Sequence, residues 1–185
     1  MPARNTPMYW GWVAKSFHWL MFALIVGAWF AFEQHEDFPK GSTERAEWMN
    51  LHRAFGASVF FLVWLRLAWR FSGPAPDSVI TSKWQHRAAE GVHWALYFLM
   101  IMMPLSGLLM SQFDGRVVSW FGVFDIPVFL SENKPLAEQL KGLHEDVWWP
   151  LLLTLIGLHV AAAVWHQFIV KDGVLKRMLP FTSRS

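Results

Sequence analysis

The sequence predicts an all-α integral membrane protein, a four-helix bundle, and three observations predict it. Of 185 residues, 54% are hydrophobic and only 16% charged, where an ordinary soluble domain is about 25% charged. Four apolar runs are each long enough to cross a hydrocarbon core about 30 Å thick, which takes roughly 20 residues of helix. Basic and acidic residues segregate between alternate connections, as loops on opposite sides of a membrane do. A buried helical core in a soluble protein is the alternative, and run length, charge segregation and tryptophan placement together weigh against it.

Taken in order, the first span covers about 12–32; it has no small-residue cleavage site and reads as a true span, not a signal peptide. A polar segment, 33–50, leads to the second span at about 51–71. A loop with Pro and Ser, 72–90, precedes the third span at about 91–112, where Pro104 is expected to kink a helix that membranes tolerate. A longer mixed connection, 113–146, contains the turn signal Asp114-Gly115-Arg116 and leads to the fourth span at about 147–170. No repeat or low-complexity tract interrupts the chain, and residues 1–185 are expected to form a single domain.

The ends and middle loop hold Arg4, Lys15, Arg66, Arg70, Lys83, Arg87, Lys171, Lys176, Arg177 and Arg184 against the acids Asp77, Glu90 and Asp172, a balance of +7. The other two connections hold Lys40, Arg45, Arg53, Arg116, Lys134 and Lys141 against eleven acids, a balance of −5. Both termini are therefore expected on the cytoplasmic side. Trp10, Trp12, Trp69, Trp84, Trp94 and Trp165 then mark the inner interface, and Trp29, Trp48, Trp148 and Trp149 the outer one.

With no cysteine, disulfides, iron–sulfur clusters and covalent c-type haem are excluded. The chemistry falls to eight histidines. His35 and His86 lie in predicted loops and read as solvated surface. Six others stand in or at the ends of spans, where ionisable groups are costly and mark sites. His52 and His144 sit near the outer ends of spans that both enter from outside. His159 lies fifteen residues beyond His144, about 22 Å deeper at 1.5 Å per residue, which brings it toward the level of His18. Fifteen residues also return to roughly the same face. Four histidines at two depths suit two six-coordinate haems, each clamped by two imidazoles. Zinc would want four ligands at one depth. A histidine proton relay would normally include a carboxylate in the spans, and any single histidine reads equally well as a polar residue bonded to a neighbouring helix.

Phe17-His18-Trp19-Leu20, Leu51-His52 with Arg66-Leu67-Ala68-Trp69-Arg70, Gly142-Leu143-His144-Glu145, Gly157-Leu158-His159-Val160 followed by His166, and the tail Asp172-Gly173-Val174-Leu175 together resemble the bacterial cytochrome b561 family. The resemblance covers nearly the whole chain in order. It implies a four-helix cytochrome of the bacterial inner membrane with two non-covalent b haems, whose axial ligands fall on His18, His52, His144 and His159. It also implies electron exchange with membrane quinone and a redox partner at the outer face. One characterised member is a superoxide:quinone oxidoreductase. The connection after the third span, with Phe124-Asp125-Ile126-Pro127, departs from the best-known member and bears on the outer substrate.

Other residues take roles beside this set. Arg53 and Arg66 are candidates to neutralise haem propionates; snorkelling to headgroups suits Arg70 better. His93 and His166, at the inner ends of their spans, are candidates to bond a quinone or to stand as interfacial histidines. His166, seven residues after His159, is also the nearest rival ligand. Glu145 and Asp146 either orient His144 or cap a helix. The partners expected are lipid, quinone and an outer redox partner, with no nucleic acid. Two other readings are a membrane-anchoring cytochrome b subunit of a dehydrogenase and a His-lined metal or proton transporter.

Overall fold

The computed structural model describes residues 2–80 and 82–180; Arg184, one of the bases counted above, lies outside them. Helix α1 spans Trp12–Glu36, α2 Thr43–Phe71 and α3 Lys83–Phe113. A β-hairpin follows, β1 Val118–Trp120 and β2 Phe124–Ile126, then α4 Lys134–Gly142, α5 Trp149–Trp165 and a short α6 Val174–Met178. A π-helical turn, Leu143–Trp148, joins α4 to α5, and a second, His166–Val170, ends α5. The last spanning helix is thus continuous over Lys134–Val170, 37 residues.

All four spans are longer than hydropathy alone predicts, because polar residues continue the helices past the apolar runs, and two of the extensions carry side-chain caps. Ser42 caps α2 by accepting from the Arg45 amide at 3.2 Å. Asn133 caps α4 by accepting from Leu136 N at 3.2 Å, and Pro135 suits the first turn of a helix. These extensions correct two expectations. His35 and His86 lie within α1 and α3, not in loops, and His35 is buried. Glu145 and Asp146 lie in the π turn, mid-helix, so they cap nothing.

The connection 113–133 is also more ordered than a mixed loop. Val118 pairs with Ile126 and Trp120 with Phe124, and the reversal passes through Phe121 and Gly122, both at positive φ. The Trp120 indole donates to Ser58 Oγ at 2.9 Å and Phe121 packs edge-on against Phe55, so the hairpin folds back along α2. Asp114 bonds Arg116 and Lys134, tying the end of α3 to the start of α4. The hydrogen bond from Lys134, with the two cationic charges, holds the Asp114 carboxyl below the usual carboxylate range.

At the opposite end of the bundle, the two chain ends and the α2–α3 loop are bound together. Arg177 donates to the carbonyls of Met8 and Asp77 at 2.9 and 2.8 Å, and Trp19 to the Met178 carbonyl at 2.9 Å. Trp12 N reaches Pro2 O at 3.1 Å. That path lies so close over Gly11 that a Cβ there would stand 2.2 Å from Ala3 O. This end is called terminal below, and the other distal. Between them Met21, Val59, Val63, Tyr97 and Met100 form a buried core shared by α1, α2 and α3. Phe61, Leu151, Leu153 and Leu158 point outward, the arrangement of a bundle solvated by lipid tails.

Candidate functional site

Two pairs of imidazoles face each other across the bundle, one toward each end. At the distal end His52 of α2 and His144 of the π turn have ring centroids 6.1 Å apart and planes at 83°. Both rings are fixed from behind. His52 Nδ1 stands 2.8 Å from the Ala28 carbonyl and His144 Nδ1 stands 2.8 Å from the Met103 carbonyl. Ser106 Oγ, which donates to Met103 O at 2.7 Å, is also 3.1 Å from His144 Nδ1. A carbonyl only accepts, so each Nδ1 carries the hydrogen and each Nε2 is left basic. Such bonds orient a metal-binding imidazole and fix its tautomer.

A cavity of about 320 Å³ opens between these rings, lined by His52, His144, Arg53, Gly56, Phe60 and Pro104 among others. Gly56 has nothing within 4 Å of where a side chain would begin, so it leaves a flat wall. Gly107 does the reverse: a Cβ there would lie 2.9 Å from His144 Cε1, and only glycine lets α3 approach that ring.

At the terminal end His18 of α1 and His159 of α5 are again 6.1 Å apart, with planes at 53°. A third ring joins them, since His93 of α3 lies 5.3 Å from His159. Arg66 stands beside this group. Its Nε donates to Tyr97 Oη at 3.0 Å, its guanidinium lies 5.3 Å from the Tyr97 ring centroid, and its Nη2 is 3.5 Å from His18 Nδ1.

The residues fit haem. Two metal–imidazole bonds of about 2 Å each, with the radius of each ring added, put axial ring centroids about 6 Å apart, and both pairs match. The Arg53 Nε is buried beside the distal cavity with no hydrogen-bond partner among the described residues, although its Nη1 reaches Asn50 Oδ1 at 3.3 Å. A free buried donor there is what a propionate would take up.

The other expected site residues divide. His93 lies with the terminal pair. His166, seven residues beyond His159, is engaged elsewhere: its Nδ1 is 2.5 Å from Asp172 Oδ2. The third ring in contact with the pair is that of His93. Glu145 and Asp146 do not hold His144; the Met103 carbonyl and Ser106 do. Sequence reading missed Ser106 and Tyr97, and the signal for both was available, since polar groups inside spans need partners.

Residues 9–181 match the family described as prokaryotic cytochrome b561. The chain is 34% identical over 187 residues to the Escherichia coli (strain K12) protein named cytochrome b561 homolog 2, covering 97% of this chain and 95% of the relative. It is 31% identical over 164 residues to cytochrome b561 homolog 1 of the same organism, covering 88% and 92%. It is 31% identical over 170 residues to a Yersinia pestis protein named probable superoxide oxidase CybB, covering 88% and 91%. Four helices of spanning length, histidines paired between them and these likenesses agree, and the chain belongs to the prokaryotic cytochrome b561 family of haem b-binding membrane cytochromes.

Proposed function

We propose that the chain, acting as one unit over its whole length, binds two haems b and carries electrons between a redox partner at the outer face and quinone in the membrane. The observation that carries this reading is the pair of imidazole pairs, each at 6.1 Å, toward opposite ends of one bundle. His52 and His144 would hold the distal haem, with Arg53 beside a propionate; His18 and His159 would hold the other, near Arg66. When bound, the haems supply one-electron carriers at two depths, about half a bilayer apart. The chain's residues orient the imidazoles, exclude water with the Met21–Val63–Tyr97–Met100 core and supply the polar groups at each end.

Superoxide is one outer donor consistent with the name of the Yersinia relative; on losing one electron it becomes dioxygen. At the terminal end, two electrons and two protons convert a quinone to a quinol, and His93, His166 and Arg66 lie near His159 or at the adjoining helix end. The membrane is the cytoplasmic one, with both termini inside.

The test is the haem content and reduced spectrum of the purified protein. Two haems per chain are expected, and a ratio near one defeats the reading. His52→Ala should remove one haem and His159→Ala the other, so that the two variants differ in their remaining spectra. Equal loss of both haems from either change would show that the pairing is wrong.

A further inference from the structure

The two imidazole pairs are alike in spacing and unlike in what stands behind them. At the distal pair each Nδ1 has a main-chain carbonyl at 2.8 Å, and His144 has the Ser106 hydroxyl as well. Donating Nδ1–H to a carbonyl pushes electron density into the ring and makes it a more basic ligand. At the terminal pair the group behind His18 Nδ1 is the Arg66 guanidinium, with Nη2 at 3.5 Å. A guanidinium has donors only, so it cannot take up an Nδ1 hydrogen and adds no such density. Among the described residues neither His18 nor His159 has a carbonyl partner on its ring. Arg66 is also kept in place, since its Nε is bonded to Tyr97 Oη and Tyr97 belongs to the buried core.

We propose that this difference makes the two haem positions unequal, the terminal one having the higher reduction potential, and that Arg66 is the positioning residue responsible. The proposal rests on the two-haem reading above. Ferric haem carries one more positive charge than ferrous haem. A basic, carbonyl-bonded ligand favours the ferric form, and a nearby fixed cation disfavours it, more so where screening is weak. Both effects act in one direction here, lowering the distal potential and raising the terminal one, since the distal cavity's cation, Arg53, shares its lining with the carboxylates of Glu33 and Glu145. One electron converts one ferric centre to ferrous with no bond made and no proton required, so an electron given to the distal site is drawn toward the terminal site. The asymmetry would set the direction of flow from the distal face inward.

The experiment is a potentiometric titration of the haem-loaded protein in detergent, followed by its visible bands, with haem content measured on the same samples. Wild type should titrate in two one-electron waves whose reduction equilibria differ by about tenfold or more, about 59 mV for one electron. Arg66→Met should move the higher wave down and leave the lower wave in place, and Arg66→Lys, which keeps the charge, should fall between. Ser106→Ala, which removes one acceptor from His144, should move only the lower wave, upward. If Arg66→Met does not retain both haems, Tyr97→Phe decides in its place, because it frees the guanidinium while keeping the ring; the higher wave should fall. Two haems titrating as a single wave, an unmoved higher wave in the Arg66 or Tyr97 variants, or Arg66→Met and Ser106→Ala acting on the same wave would each overturn the proposal. One haem per chain would overturn the underlying reading, and this proposal with it.

Discussion

A methyl group at position 107 would lie 2.9 Å from His144 Cε1 and 3.2 Å from its Nδ1, closer than carbon and nitrogen approach without something moving. The ring is the part able to move, and moving it breaks the bond to Met103. Gly107→Ala should therefore cost about 1–3 kcal/mol as an overpacked site. The expected result is a chain that still inserts in the membrane but retains less of the distal haem; full retention, at wild-type thermal stability of the bands, would show that α3 yields instead. The same scale separates two histidines that sequence treated alike. His93 lies against His159, whereas His166 is paired with Asp172, both partners largely buried. On the quinone reading, His166→Ala and His93→Ala should each slow electron exchange with quinone while leaving two haems bound, and His93→Ala should have the larger effect because it lies beside the ligand. Unchanged quinone kinetics in both would place that site elsewhere. A haem lost from His166→Ala would make His166 a ligand.

At the scale of elements, what the sequence made legible was what depends on counting residues. Four spans follow from four apolar runs, and depth along a helix follows from residue number, so the rings that share a depth in the sequence, His52 with His144 and His18 with His159, are the rings that stand together. Rotation was less legible, because periodicity assumes a regular helix. The two π turns, Leu143–Trp148 and His166–Val170, have no hydropathy signature, and each contains a histidine. The first matters for His144, which lies inside it. The turn between α4 and α5 holds one residue more than a regular α-helix would over the same rise. Inserting one alanine after Val147, which a turn already widened by one residue does not absorb, should swing α4 with His144 by about 100° relative to α5. The expected outcome is loss of the distal haem with retention of the terminal one, read as half the haem content. An unaltered content would mean that the turn does not orient His144. The hairpin was illegible for another reason: its strands are three residues each, too short for an alternation pattern, and they are held by Trp120 bonding a serine sixty-two residues away.

For the whole molecule, orientation is the property from which every statement about inside and outside follows. The terminal end carries Arg177 bonded across to Met8 and Asp77, with Arg70 over the Trp94 ring at 5.7 Å and Lys171 and Lys176 close by in sequence. The distal end carries Glu33, Glu36, Glu138, Glu145 and Asp146 on the helices around the His52–His144 cavity, with Glu33 and Glu145 lining it. Moving basic segments across a membrane is disfavoured, and charges near span ends decide the matter. The +7 and −5 totals thus argue for the terminal end in the cytoplasm, and the bonded cluster of chain ends and loop there means that both termini and the α2–α3 loop share whichever side it is. A reporter active only outside the cytoplasm should be silent when fused to the C-terminus and active when inserted at the exposed hairpin turn beside Val123, which packs little of itself against the bundle. The reverse pattern would turn the molecule over, setting His52 and His144 nearest the cytoplasm and making the direction of electron flow inferred from Arg66 one that runs outward.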